Sequence, residues 1–213
     1  MELTKYTHSC VRLSEGGRHL VIDPGVFSES QEALSGADAV LVTHEHPDHL
    51  DADVLRSALA ANADLHVWGP SAIASVFEMY PGRFTAVAAA QTLTIAGFEV
   101  ETFGGQHAVI HPSIPVISNV GYLIEGSLYH PGDSFTVPNK PVGALLVPIH
   151  APWSKVSEVI DFVVSVRAPQ AFQIHDSLLT DIGRGVVEGH VTRIGAQFGS
   201  SYRHLLSGEV VAL

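Results

Sequence analysis

The chain has 213 residues, 46% of them hydrophobic and only 15% charged, enough to bury a substantial core as one domain over residues 1–213. Its formal net charge of −11, without any basic run, excludes nucleic acid as a natural partner, because polyanion binders need clustered Lys and Arg. No apolar stretch reaches the length of a membrane span, the N-terminus lacks the basic-then-apolar layout of a secretory signal, and the single Cys10 excludes an internal disulfide. A cytoplasmic globule acting on a small molecule is the expectation, and the low charge is compatible with a homo-oligomer.

The first part of the chain reads as a hairpin: Leu3 to Tyr6, Val11 to Leu13, a Glu15-Gly16-Gly17 turn, then His19 to Ile22. It closes on Asp23-Pro24-Gly25, a strong turn signal. The apolar run Ala39-Val40-Leu41-Val42 predicts a buried strand. Val54, Leu55, Ala58 and Leu59 then carry helical spacing, with Asp51 or Asp53 as the cap. A strand at Leu65 to Trp68 follows. Next comes a helix opened by Pro70 and Ser71, faced by Ile73, Val76, Phe77 and Tyr80 and stopped at Pro81-Gly82.

The middle is strand-rich: Gln91 to Ile95, Phe98 to Phe103, Val120 to Ile124 and Ser127 to Tyr129. Strand Ala144 to Val147 leads to Ser154, the expected cap of a helix with Val156, Val159, Ile160 and Val163 on one face. Its β-branched residues disfavour helix intrinsically, but their i, i+3, i+4, i+7 spacing decides for it. Strand Ala171 to Ile174 precedes a helix carrying Ile182, Val186, Val187, Val191 and Ile194, and Gly208 to Val211 reads as a closing strand. Strands come first as a meander and then alternate with helices, twice over. An α+β arrangement with two sheets face to face and helices on the outer faces satisfies this pattern.

The chemistry is concentrated in Thr43-His44-Glu45-His46-Pro47-Asp48-His49, where a strand ends and a loop begins. Imidazole and carboxylate are preferred ligands of divalent metals, and four in one loop suffice to start two adjacent sites. Three more strand ends each deliver one candidate: His107 after Phe98 to Phe103, Asp133 after Ser127 to Tyr129, and His175 after Ala171 to Ile174. If these ends meet, five His and two Asp surround one cavity.

These residues resemble the metallo-β-lactamase-fold hydrolases, whose hallmark is His-x-His-x-Asp-His after a buried strand. Tyr129-His130-Pro131-Gly132-Asp133-Ser134 supports the same match. The opening from His8 to Asp23-Pro24-Gly25 looks most like the branch of ascorbate-6-phosphate lactonases and related metal-dependent hydrolases. The resemblance implies a four-layer αβ/βα sandwich with two metals at one edge of the paired sheets. By carry-over, His44, His46 and His107 bind one metal, Asp48, His49 and His175 the other, and Asp133 bridges them. His111 rivals His107 for the third histidine, because Gln106 separates Gly105 from His107.

The implied reaction has two catalytic carboxylates, Asp48 and Asp133, and a metal-bridging hydroxide that attacks an ester, lactone, amide or phosphodiester bond of a small molecule. Zinc suits the donor set best, with manganese and iron also accommodated. Asp23 is expected to orient a ligand histidine. His8, His111, His150 and Trp153 are candidates for substrate contact in a partly hydrophobic pocket with Ile110, Ile114, Pro115 and Val116. His130 is expected to hold the Pro-Gly-Asp turn. The alternatives are a mononuclear iron oxygenase of the same fold and a non-enzymatic metal-binding scaffold.

Overall fold

The computed structural model describes residues Met1–Leu213. Two seven-stranded sheets face each other. The first holds β1 (Glu2–Lys5), β2 (Val11–Glu15), β3 (Arg18–Ile22), β4 (Ala39–Leu41), β5 (His66–Gly69) and β6 (Phe84–Ala86), with β14 (Val210–Ala212) pairing back onto β1. The second runs in unbroken chain order through β7 (Thr92–Ile95), β8 (Phe98–Gly104), β9 (Val120–Ile124), β10 (Leu128–His130), β11 (Ala144–Pro148), β12 (Gln170–Ile174) and β13 (Ser201–Arg203). Neighbouring strands are antiparallel in the hairpins and parallel across the longer crossovers, which carry helical segments except between β10 and β11.

The layering follows from the strand sequences. In β4 and the residue after it, Ala39 and Leu41 face the central core while Val40 and Val42 face the outer helices. In β11, Ala144 and Leu146 point inward, and Leu145 and Val147 point to the opposite outer layer. Strands covered on both faces read as continuous apolar runs rather than alternating ones. The short α1 (Ser30–Ala33) and α2 (Ala52–Ala61) cover the first sheet, Leu55 and Leu59 packing on Val40 and Val67. The second sheet is covered by α3 (Val156–Val166) and α4 (Asp181–Gly195), through Val159, Phe162, Val163 and Val191. This is the expected four-layer αβ/βα sandwich. No helix is long and apolar enough to cross a membrane.

Several local expectations change. Ser71–Phe77 is a 3₁₀ segment rather than an α-helix reaching Pro81, the tighter form that short connecting pieces often take. Asp51, not Asp53, caps α2 by accepting from the Val54 amide. Ser154 bonds the Ala151 main chain instead of capping α3, whose first amide is met by Glu158 Oε2 from inside the helix. On α4, Ile182 and Val186 are exposed, because only its later turns lie on the sheet. The edge strands β6 and β13 gave no apolar signature, being half in water.

Topology also sets the site. With β1 parallel to β3 and β4, and β8 parallel to β10, β11 and β12, the carboxyl ends of all these strands emerge at one edge. The sheets are joined there: the Val120 amide donates to the Thr43 carbonyl at 2.9 Å, and the buried Tyr122 hydroxyl donates to the Val42 carbonyl at 2.8 Å.

Candidate metal centre

At that edge two groups of donors stand side by side. The first comprises His44, His46, His107 and Asp133; the second comprises His8, Asp48, His49 and His175. Within each group one donor atom per residue lies within 4.8 Å of the others. Asp133 stands between the two. Its Oδ2 is 3.3 Å from His107 Nε2 and 3.2 Å from His175 Nε2, while Oδ1 is 3.1 Å from His49 Nε2. Asp48 Oδ2 lies 3.1 Å from His8 Nε2 and 3.4 Å from His175 Nε2.

The far nitrogens of most of these rings are fixed by the protein. His49 Nδ1 bonds Asp23 Oδ2 at 2.7 Å, His107 Nδ1 donates to the Ala108 carbonyl and His175 Nδ1 to the His150 carbonyl, each at 2.6 Å. His44 Nδ1 meets Thr43 Oγ1, and His8 Nδ1 meets Ser177 Oγ. Such outer partners choose the tautomer and aim the other nitrogen at a common centre. Asp23 also accepts from the Thr43 amide and hydroxyl, both at 2.7 Å, so one carboxylate braces the start of the His-x-His loop and one of its ligand candidates.

Backbone strain marks the same place. His8, Asp23 and His175 all adopt left-handed conformations, with φ of 62°, 52° and 58°, which non-glycine residues visit rarely and at an energetic cost. Gly25 is required for a different reason: a Cβ there would lie 1.9 Å from the Asp48 carbonyl oxygen. The turn 23–25 is pressed against the ligand loop, with Val26 donating to the Pro47 carbonyl and Asp51 to the Pro24 carbonyl. Across the site, Gly132 (φ 62°) abuts Thr43 and Asn119, and Asn119 Oδ1 accepts from the Asp133 amide.

The donor set fits divalent metal. It offers only imidazole and carboxylate, and two of its buried atoms, His107 Nε2 and Asp133 Oδ1, have no aligned hydrogen-bond partner despite their short separations from neighbours. Buried polar atoms left this way are costly unless something else binds them. The electrostatics agree. Burial pushes His8 down to about 4 and His44 well below the ordinary histidine range, so both stay neutral, as ligands must be. Burial opposes charge on His175 too, but its bonds to Asp133 and Asp48 outweigh that and raise it to about 9. His49 is likewise raised against its burial by Asp133 and Asp23. Burial alone would raise both Asp48 and Asp133, yet the surrounding histidines hold them below the usual carboxylate range. Two carboxylates thus demand positive charge that protons on His49 and His175 supply when no cation does.

All seven expected ligand residues meet at this centre, and Asp23 holds His49 as anticipated. His8, expected only as a substrate contact, stands inside the second donor group, its ring centroid 4.1 Å from that of His175. His111 is exposed and bonded to Ser113, so it is His107 that joins the first group. His150 contributes its carbonyl to His175. Trp153 reaches further in than a pocket wall: its Nε1 donates to Asp133 Oδ2 at 2.9 Å. His130 accepts from the Gly132 amide through Nδ1 and donates through Nε2 to the Ser9 carbonyl, holding its turn. Ser134 bonds the Pro131 carbonyl and makes a local turn contact. Asn119 and Ser177 were missed, since nothing in their sequence surroundings separates them from ordinary loop residues; Thr43 stands in the motif itself but was given no role. A cavity of about 340 Å³ opens beside His46 and His107, walled by Ile110, Ile114, Pro115 and Val116. A larger one of about 730 Å³ lies between α1 and α2, away from every donor.

Paired sheets with histidine and aspartate converging at their shared edge define a metallo-hydrolase-like class of protein. The comparisons make it specific: a family model described as beta-lactamase superfamily domain matches residues 2–175, and the chain belongs to that family. It is 39% identical to Protein Rv0786c of Mycobacterium tuberculosis over 200 residues, 91% of this chain and 92% of the relative. A shorter stretch of 75 residues is 31% identical to a UPF0173 metal-dependent hydrolase of Flavobacterium johnsoniae, covering 30% of this chain and 33% of that protein. Among solved structures, Igni18, a metallo hydrolase of the archaeon Ignicoccus hospitalis, superposes with a TM-score of 0.74 at 16% identity, over 99% of this chain and 97% of that one. At that identity the likeness shows the fold.

Proposed function

We propose that the protein is a metal-dependent hydrolase holding two divalent ions, zinc by preference and manganese or iron as substitutes, that acts on a small molecule in the cytoplasm. One observation carries this reading: Asp133 stands between two complete donor groups, within 3.3 Å of histidines from both. His44, His46 and His107 would hold one ion, His8, Asp48, His49 and His175 the other, and Asp133 both. The relatives named as metal-dependent and metallo hydrolases point the same way.

Held by these residues, divalent ions would supply a water whose pKa is lowered to about 7 and a Lewis acid for the carbonyl or phosphoryl oxygen. The chain's own groups do the rest. Asp23, Thr43, Ser177 and the carbonyls of Ala108 and His150 keep the rings of His49, His44, His8, His107 and His175 aimed, which limits reorganisation during reaction. Trp153 fixes one oxygen of Asp133. Asp48, 19% exposed, is the carboxylate placed to exchange a proton with solvent. Esters, lactones, including those of the ascorbate-6-phosphate type, amides and phosphodiesters are the bond types this chemistry opens.

The test is metal content per chain, for the native protein and Asp133→Ala, purified without chelator, followed by assay on ester and phosphodiester probes. Two equivalents that fall sharply in the variant, with native hydrolysis, support the reading. Iron at one equivalent without hydrolysis would instead establish the oxygenase alternative, and tight metal without any turnover the scaffold.

A further inference from the structure

We infer that the substrate is an uncharged ester, lactone or amide whose small apolar side occupies the cavity beside His46 and His107, and not one bearing a phosphate or carboxylate substituent there. The inference rests on the hydrolase reading and narrows it.

The cavity shares walls with the first donor group, through His46 and His107. Its other walls are Ile110, Ile114, Pro115 and Val116, its volume of about 340 Å³ is near the lower end for ligand pockets, and its single charged lining residue is the acidic Glu45. An anionic substituent seated there would find no counter-charge among the lining side chains and would be repelled by Glu45; the one positive charge bordering the cavity would be the ion held by His46 and His107, which the reacting carbonyl itself engages.

No cation of this chain relieves that. Arg18, Arg56, Lys140, Arg184 and Arg203 pair with carboxylates. Arg12, Arg83 and Arg167 donate to main-chain carbonyls, and Arg193 contacts His190. Lys5 is buried, donating to the carbonyls of Tyr6 and His8. Lys155 alone has no side-chain partner, and it does not line the cavity. Recognition of phosphate or carboxylate relies on Arg or Lys geometry that is absent from these walls. Conversely, Ile114 and Val116 are 45% and 47% exposed, apolar area that an apolar substituent would cover.

The test has two readouts on zinc-loaded protein. The first is methyl NMR of Ile110, Ile114 and Ile117 with δ-valerolactam, a neutral lactone analogue, against glutarate of similar size. The lactam is expected to shift these methyls and glutarate to leave them. The second compares p-nitrophenyl butyrate with mono-p-nitrophenyl succinate, expecting kcat/KM at least about tenfold higher for the butyrate. Ile114→Lys, at a half-exposed position that leaves the core intact, should narrow or reverse that ratio. Glutarate shifting the methyls as strongly, or the succinate ester being cleaved as fast, would overturn the inference while leaving hydrolysis standing. Methyl shifts from the lactam with neither ester cleaved would support the cavity's preference and remove the hydrolase reading.

Discussion

The two donor groups share one loop and differ in their setting. The first takes His44 and His46 from one strand end, adds His107 and Asp133 from the facing sheet, and borders the open cavity, with His46 half-buried. The second likewise pairs two residues of that loop, Asp48 and His49, with His8 and His175 from two distant stretches of chain. Two of those residues have left-handed backbone, and one of them, His175, is tied to the other, His8, by its amide. Its rings at 8, 49 and 175 are buried and braced by Asp23, Ser177 and the His150 carbonyl. The contrast assigns the substrate side to the first group and the rigid, pre-strained side to the second. Strain tolerated at the second group is offset by dense hydrogen bonding around it.

The largest break in that comparison comes from Gly25→Ala. Its Cβ would collide with the Asp48 carbonyl at 1.9 Å, so the ligand loop must move. We expect a stability loss of about 3 kcal/mol by thermal or urea unfolding, with second-group metal affinity lost before that of the first. Asp23→Asn, measured by chelator competition, should lower metal affinity by about 10- to 100-fold. It affects both groups, because Asp23 holds His49 directly and His44 through Thr43. A loss confined to one group would disprove that shared brace. His8→Ala should weaken only the second group, towards the lower part of the same range; unchanged stoichiometry and affinity would return His8 to a packing role.

The smallest effect is in pH, and its sign separates metal-free from metal-loaded protein. His175, raised to about 9 without metal, contributes stability fully present below its ordinary 6.5 and lost as pH climbs through 9, worth about 3 kcal/mol at most. His8, lowered to about 4, contributes stability present above 6.5 and lost as pH falls through 4. Metal-free protein should therefore be most stable near pH 6.5. Metal-loaded protein should gain stability as pH rises past that point, because ligand imidazoles must shed protons to bind. Parallel thermal melts from pH 4 to 10 check this, and coincident curves would contradict it.

Residue types and spacing determined much of this protein. Continuous apolar runs in β4, β9 and β11 announced strands covered on both faces. The loop from His44 to His49, with His107, Asp133 and His175 each after its own strand, announced the donors that the fold brings together. These signals are local: each depends on a few neighbouring residues and survives in the linear chain. What only the tertiary structure decided is convergence. The choice of His107 over His111, the entry of His8 into the second group, the bond from Trp153 to Asp133, and the bracing by Thr43, Asn119 and Ser177 all arise between residues remote in sequence. The left-handed backbone at His8, Asp23 and His175 belongs with them, since no residue type there predicts it. Such features are imposed by how two sheets meet at one edge, and strand register and crossing, not composition, fix where that edge brings side chains together.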